Sequence, residues 1–285
     1  MEKILNGKVC KETLKNELIK KINNISDIIK LVVISVGKDE ASKIYIKNKI
    51  KECESVNIKC EHLHYEKSTT KELIRKINEL NNDYSVNGIL VQLPLPKNID
   101  VDAVINSIDS IKDVDGLTKY NIGSLYKNNK NIIPCTAKGI LKLLDYYKIN
   151  LKGKNVTIIG RGQLTSIPLI PLLIKRDSTV TICHSKTDNL KKHTKKADII
   201  IIAIGKANFL KKNMIKRNSI IIDVGINRIN NKICGDVDIN NVINKVKFIT
   251  PVPNGIGQMT LYEVLENTFE CYLLQKNKKS WIFKT

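Results

Sequence analysis

No run in this 285-residue sequence is long and apolar enough to span a membrane, and the opening Met-Glu-Lys-Ile-Leu-Asn-Gly-Lys lacks the apolar core of a signal peptide. A cytoplasmic protein with no membrane partner is the expectation. Its seven cysteines (Cys10, Cys53, Cys60, Cys135, Cys183, Cys234, Cys271) form no Cys-x-x-Cys pair, so neither a zinc site nor a disulfide framework is indicated. Arginine is scarce, five residues against 43 lysines, although the formal net charge is +20. Those lysines are spread along a chain also rich in asparagine and isoleucine, which fits compositional drift better than a selected polyanion surface. A specific nucleic-acid partner is therefore not expected, only adsorption at low salt. The length leaves room for two domains, each with a core.

Among what is present, residues 155–166 organise the chain: the apolar Val156–Ile159, then Gly160-Arg161-Gly162, then a segment from Leu164 to Ile174 that starts like a helix. A strand, a tight glycine turn and a helix N-terminus let a backbone approach a phosphate, whose charge the unpaired N–H groups favour. Glycines also end ordinary strands, so the surroundings decide. Apolar runs recur at Thr179–Cys183, Ala197–Ile204, Ser219–Val224 and Phe248–Val252. With 155–159 they predict five buried parallel strands of a Rossmann-like, doubly wound sheet over about 150–253. The second strand ends in Cys183-His-Ser-Lys-Thr187, with no acid at the tip to hold ribose hydroxyls. A hydroxyl and a lysine there, with Arg161, suit a 2′-phosphate and favour NADP; Asp188 just beyond keeps NAD open.

Ahead of that domain, an approximate helical stripe over 8–25 precedes a strand at Leu31–Val36, and a helix over Asp39–Cys53 places Ser42, Tyr45 and Lys49 on one face. Lysine does acid–base work only where its surroundings disfavour the charged form, and in so lysine-rich a chain spacing alone does not single out Lys49. A second unit follows, Ile58–Tyr65 as strand and Thr70–Asn81 as helix. His62 and His64 share a strand face, but no acid or cysteine stands at ligand spacing, so no metal site is expected. In Gly88-Ile-Leu-Val-Gln-Leu-Pro-Leu-Pro96 an apolar strand carries one amide, Gln92, whose donor and acceptor could serve a ligand. Lys112-Asp-Val-Asp-Gly116 is a carboxylate turn that an Asx turn or a helix cap would also explain. Residues 117–134 read as the interdomain crossing, a helix over Ile140–Tyr147 leads into the nucleotide domain, and Leu261–Leu274 reads as a returning helix with a basic, frayed tail from Gln275.

Together these segments resemble the bifunctional methylenetetrahydrofolate dehydrogenase/methenyltetrahydrofolate cyclohydrolase family. The matching pieces are Ser42-x-x-Tyr45-x-x-x-Lys49, Val91-Gln-Leu-Pro-Leu95, Lys112-Asp-Val-Asp-Gly116, Ile133-Pro-Cys-Thr136, Gly160-Arg161, Cys183-His-Ser-Lys-Thr187, Asp223-Val-Gly-Ile-Asn227, Gly235-Asp-Val237 and Ile249-Thr-Pro-Val-Pro253. Their order over nearly the whole chain is more specific than any single piece. The resemblance implies a two-domain α/β fold, with an N-terminal catalytic domain over 1–120, a Rossmann-like NAD(P)-binding domain over 121–257, and a C-terminal helix of about 258–285 packed back on the first. It implies oxidation of 5,10-methylenetetrahydrofolate, with hydride passing to the nicotinamide, and then hydrolysis of the methenyl product to 10-formyltetrahydrofolate. Lys49 is similar to the family's catalytic lysine, Tyr45 to the tyrosine stacked on the folate, Gln92 to the amide working with the lysine, and Asp115 to the anchor of the pterin ring. Val91, Leu93, Pro253 and Gly257 fall in the folate-binding segments, and Gly160, Arg161, Gly162, Ser185 and Ile226 align with dinucleotide-binding positions. A homodimer packed through the nucleotide domains is also implied.

Several positions depart from the family pattern. The loop that usually reads Gly-Arg-Ser, with glycine four residues later, is here Gly-Arg-Gly with Ser166 at that glycine. Ser166 adds a Cβ at a close helix–strand approach, and Gly162 removes a phosphate-binding hydroxyl. Ala137, Asn254 and Gln258 stand where proline, glycine and proline are usual. These changes touch cofactor affinity more than the folate site, and a cyclohydrolase with weakened dehydrogenase activity is the resulting alternative. Two further rivals are a different dehydrogenase acting on a small hydroxy acid and a basic binding protein on an old enzyme scaffold. The first would not need Gln-Leu-Pro-Leu or Pro-Val-Pro, and the second would not keep Lys49, Gln92 and Asp115 together.

Overall fold

The structure, a computed structural model, describes residues 3–127, 132–230 and 232–282, without the side chains of 40, 41 and 278–282. The chain forms two compact units, residues 14–135 with 261–285 and residues 1–13 with 136–260.

The unit of 14–135 contains most of α1 (Gly7–Asn23), then β1 (Ile29–Val36), α2 (Glu40–Glu54), β2 (Ile58–Tyr65), α3 (Thr70–Asn82), β3 (Gly88–Val91), α4 (Val101–Asn106) and α5 (Lys119–Ser124). Its sheet is parallel in the order β2-β1-β3, with Ile29 beside Ile58 and Leu31 beside Gly88. The β-branched run of β1 is buried on both faces, as a central parallel strand requires. α3 starts at a reciprocal capping box, Thr69 with Glu72, and buries Leu73, Ile77 and Leu80, each contributing about 1.5–3 kcal/mol by leaving water. Those side chains meet Val32, Ile34 and Ile89 in one core.

The segment after Gly116 belongs to this unit, where the sequence points to a crossing between domains. The physical reason is Asp113, whose buried carboxylate accepts from Thr118 N (2.8 Å) and Asn121 Nδ2 (2.9 Å) and so ties down the start of α5. The two compact units divide at 135/136.

In the other unit α6 (Cys135–Tyr146) leads to β4 (Asn155–Ile159), α7 (Ser166–Ile174), β5 (Thr179–Cys183), α8 (Leu190–Thr194), β6 (Ile199–Ile202), β7 (Ile220–Asp223), the antiparallel hairpin β8 (Asn227–Ile229) and β9 (Lys232–Cys234), α9 (Ile239–Val242) and β10 (Phe248–Ile249). The five parallel strands lie in the order β10-β7-β6-β4-β5. Connections from β4 run one way to β5 and the other way to β6 and beyond, so the order reverses between β4 and β6. That switch point is where doubly wound sheets bind ligands. Residues 3–7 join the far edge: Leu5 N donates to Ile249 O (2.8 Å), Ile249 N to Lys3 O (2.9 Å) and Gly7 N to Asn254 O (2.8 Å).

The last helix, α10 (Ile256–Ile282), completes the first-described unit from residue 261 onward. There Asn267 Nδ2 donates to Val114 O and Ile133 O, both at 2.9 Å. The helix continues through Ile282, past the point at Gln275 where the sequence suggests fraying; residues 283–285 lie outside the described residues. No helix among the described residues is long and apolar enough to cross a membrane.

Candidate active site

In the unit of 14–135, Asp39 caps α2 by accepting from Ser42 N at 2.7 Å, and hydrogen bonding to Ser42 lowers its carboxyl below the usual range. The helix then carries Tyr45, 36% exposed, and Lys49, 9% exposed, four residues apart. Gln92 follows Val91, the buried last residue of β3, and its N–H continues the ladder by donating to Ile34 O (2.8 Å). Its amide is oriented from both ends. Gln92 Nε2 donates to Leu93 O (2.7 Å), which turns Oε1 toward Lys49, whose Nζ donates to it at 2.9 Å. A cation taken from water thus meets an oriented neutral acceptor, which leaves its remaining N–H bonds for a ligand.

The two aspartates of the carboxylate turn have separate fates. Asp113 is 1% exposed; burial pushes its carboxyl up, while the bonds from Thr118 and Asn121 pull it back. Asp115 is half-buried, and among the described residues no hydrogen bond or ion pair engages its carboxylate. Ile89 N donates to Lys112 O (2.7 Å), so the turn lies along β3. Lys112 itself is buried and donates to Leu80 O and Asp83 O, the carbonyl end of α3. Its part in the motif is to fasten the turn to that helix, a role hidden among so many lysines.

His62 Nε2 and His64 Nδ1 both lie within hydrogen-bonding distance of Ser35 Oγ, at 2.8 and 3.0 Å. Burial, and then His64, lower the His62 imidazole below its usual value. Among the described residues no three His, Cys, Asp or Glu side chains gather as a metal site.

In the other unit, Gly160 ends β4 with φ +126°, and a Cβ there would lie 2.5 Å from Ala203 O at the end of β6. Only glycine fits at this point of the switch crevice. Arg161 and Gly162 follow, exposed, with open space around Gly162. Thr165 makes no side-chain cap on α7; in its first turn Ile167 N donates to Gly162 O (3.1 Å) and Pro168 carries no N–H. Ser166, first residue of that helix, is 1% exposed, and its Oγ has no hydrogen-bond partner among the described residues. After β5, His184 N donates to Thr187 Oγ1 (2.8 Å) and Thr187 N to His184 O (2.9 Å). This small turn leaves Ser185 and Lys186 exposed at its crest, with Asp188 exposed beyond.

At the next two strand ends stands a feature that motif reading missed. Asp223 Oδ1 and Oδ2 accept from the N–H groups of Gly225, Asp236 and Val237, and Asp236 accepts from Ile204, Gly205, Lys206 and Asn227 Nδ2. A Cβ on Gly225 would meet Asp236 at 2.2 Å, and one on Gly235 would meet Asp223 at 1.9 Å. Ile226, between these ties, is 47% exposed and packs toward Gly257. Pro253 is exposed after a cis peptide, and Asn254 takes φ +73°, the conformation that explains why glycine is usual there.

A glycine turn at the switch point of a doubly wound sheet, in a chain that also buries a lysine against an amide, defines a two-domain dehydrogenase-like enzyme. The catalytic-domain model of tetrahydrofolate dehydrogenase/cyclohydrolase matches residues 5–115, and its NAD(P)-binding-domain model matches residues 134–276. The chain belongs to the tetrahydrofolate dehydrogenase/cyclohydrolase family. It is 46% identical to the bifunctional protein FolD 2 of Lactobacillus johnsonii, over 93% of this chain and 96% of that protein. The crystal structure of the bifunctional FolD enzyme, methylenetetrahydrofolate dehydrogenase/cyclohydrolase, from Campylobacter jejuni is similar at TM-score 0.93 and 43% identity, covering 95% of this chain and 99% of that one. The methylenetetrahydrofolate dehydrogenase-cyclohydrolase of Trypanosoma brucei, complexed with NADP cofactor and an inhibitor, is similar at TM-score 0.91 and 28% identity, covering 95% and 97%.

Proposed function

We propose that this chain oxidises 5,10-methylenetetrahydrofolate to the 5,10-methenyl form with NADP and then hydrolyses that product to 10-formyltetrahydrofolate. The observation that carries the reading is the Lys49–Gln92 pair at the carboxyl end of β3, a partly desolvated amine held at 2.9 Å by an oriented amide. For the hydrolytic step, Lys49 Nζ moves protons during water attack on the methenyl carbon and opening of the ring. Gln92 fixes the direction of that amine, and Tyr45, one helical turn earlier, offers a half-exposed ring for the folate to stack on. Asp115 takes the pterin N–H donors, as a carboxylate that no hydrogen bond or ion pair engages among the described residues can. Val91 and Leu93 line the folate beside Gln92.

The dinucleotide fits the other unit. Gly160 leaves room for backbone approach, the N-cap Thr165 makes no side-chain cap on α7, and Arg161, Gly162, Ser185 and Ile226 border the same strand ends. When bound, its nicotinamide supplies the hydride acceptor. Exposed Ser185 and Lys186, with no acid before Asp188, support NADP over NAD. The enzyme works in the cytoplasm as a homodimer.

The experiment mixes purified protein with 5,10-methylenetetrahydrofolate and NADP, with NAD in a parallel cuvette, and follows reduced cofactor and methenyl product together. Cofactor reduction without methenyl accumulation is expected, faster with NADP. Hydrolysis of added methenyltetrahydrofolate without reduction of either cofactor would overturn the dehydrogenase half.

A further inference from the structure

We propose that Asp236 is a positioning residue for hydride transfer: its buried carboxylate clamps the loop after β6 to the loop after β7 and so fixes Ile226, which would border the dinucleotide. The proposal rests on the reading of this unit as the dinucleotide-binding one. Asp236 is 0% exposed and accepts four hydrogen bonds, three of them from consecutive backbone N–H groups of the β6 loop: Ile204 (2.7 Å), Gly205 (3.1 Å) and Lys206 (2.7 Å). The fourth comes from Asn227 Nδ2 at 2.9 Å, next to Ile226 in the β7 loop. One carboxylate therefore joins two segments that only the fold brings together, at the strand ends where such sheets bind their ligands. Asp223 holds the clamp from behind by accepting from the N–H groups of Asp236 (3.0 Å) and Val237 (2.9 Å). Gly225 and Gly235 are needed for this arrangement, because a Cβ on either would enter the opposite carboxylate.

Nothing in this cluster is directed at a substrate. Its four acceptor bonds to Asp236 are all spent on protein, and the side chain left exposed by the clamped segment is the apolar Ile226. A hydride transfer depends on the donor–acceptor approach, and a misplacement of about 1 Å costs about 100-fold in rate. Asp236→Asn puts an NH2 group against donors that the carboxylate now accepts, releasing one loop or the other. The expected result is a dehydrogenase kcat about 100-fold lower, with unchanged hydrolysis of methenyltetrahydrofolate. Substrate deuterated at the methylene carbon should show a larger isotope effect on kcat than in wild type, as hydride transfer becomes the slow step. Asn227→Ala removes a single tie and leaves the backbone cradle in place, so it serves if Asp236→Asn does not fold; a dehydrogenase loss of about tenfold is expected from one charge-assisted hydrogen bond.

Parallel loss of both activities in folded Asn227→Ala protein would make the cluster structural only, and an unchanged dehydrogenase would remove its role altogether; either result overturns the proposal. Wild-type protein that reduces neither NADP nor NAD would instead overturn the dinucleotide reading, and the clamp with it.

Discussion

Ser166 carries a cost that one substitution should relieve. Its hydroxyl is buried at the start of α7 without a hydrogen-bond partner among the described residues, 3.1 Å from where a Cβ on Gly160 would stand. An unsatisfied buried hydroxyl costs about 1–3 kcal/mol in lost hydration. Ser166→Ala removes it, keeps the Cβ, and adds a few tenths of a kcal/mol of helix propensity, roughly 0.5 at most. Set against the lost contacts of one oxygen atom, the net expectation is a gain of about 1–2 kcal/mol. For a unit of this size that is a rise in melting temperature of about 2–8 °C. The assay is thermal unfolding of the ligand-free protein, wild type against Ser166→Ala and Ser166→Gly. Glycine also deletes the hydroxyl but gives back about 1 kcal/mol of backbone entropy, so it should fall below alanine. A Ser166→Ala protein no more stable than wild type would mean that the hydroxyl is satisfied, and the reasoning from its isolation would fail.

Asp223 sets a pH dependence. Burial, offset in part by three backbone bonds, pushes it up to about 6 from 3.8. A carboxyl whose folded value is raised contributes stability that is full below the unfolded value and is lost as pH rises through the folded one; over pH 3.8 to 6 the loss is about 3 kcal/mol. Urea unfolding of wild type and Asp223→Asn across that range should show a flatter profile for the variant, and identical slopes would contradict the assignment. Lys49→Met should lower methenyltetrahydrofolate hydrolysis by about 100- to 10,000-fold while dehydrogenation suffers less, and a wild-type hydrolysis rate would exclude Lys49 as the proton carrier. Asp115→Asn should weaken folate binding by roughly 10- to 100-fold through loss of charge-assisted bonds. Equilibrium titration checks this, and undiminished affinity would place the pterin elsewhere.

The alternating strands and helices were legible because β-branched runs bounded by glycine and polar residues mark buried parallel strands. β2 and β5 have the bounds that the sequence alone predicts, Ile58–Tyr65 and Thr179–Cys183. The β8–β9 hairpin was not, since Asn227–Cys234 is short, half polar and without alternation. The start of α10 was hidden by Gly255 and Gly257, which read as loop residues although Gly257 lies inside the helix. Spacing could name Asp113 and Asp115 but could not tell that the first is consumed by Thr118 and Asn121. Asp236 gave no signal of its clamp because three of its four partners are backbone N–H groups of a loop some thirty residues earlier, and backbone donors leave no mark in a sequence.

The pairing of residues 3–7 with 249–254, and of Asn267 with Val114 and Ile133, has a consequence for the order of assembly. A chain leaving the ribosome exposes its beginning first, and domains made of continuous sequence can close behind it one by one. Here neither unit is continuous. The earliest segment must wait for β10 before its edge is matched, and the unit of 14–135 must wait for α10 to cover the backbone carbonyls that Asn267 reaches. Both halves thus finish late and nearly together, so a prematurely released chain ending before residue 248 would carry two incomplete cores instead of one finished domain and one missing.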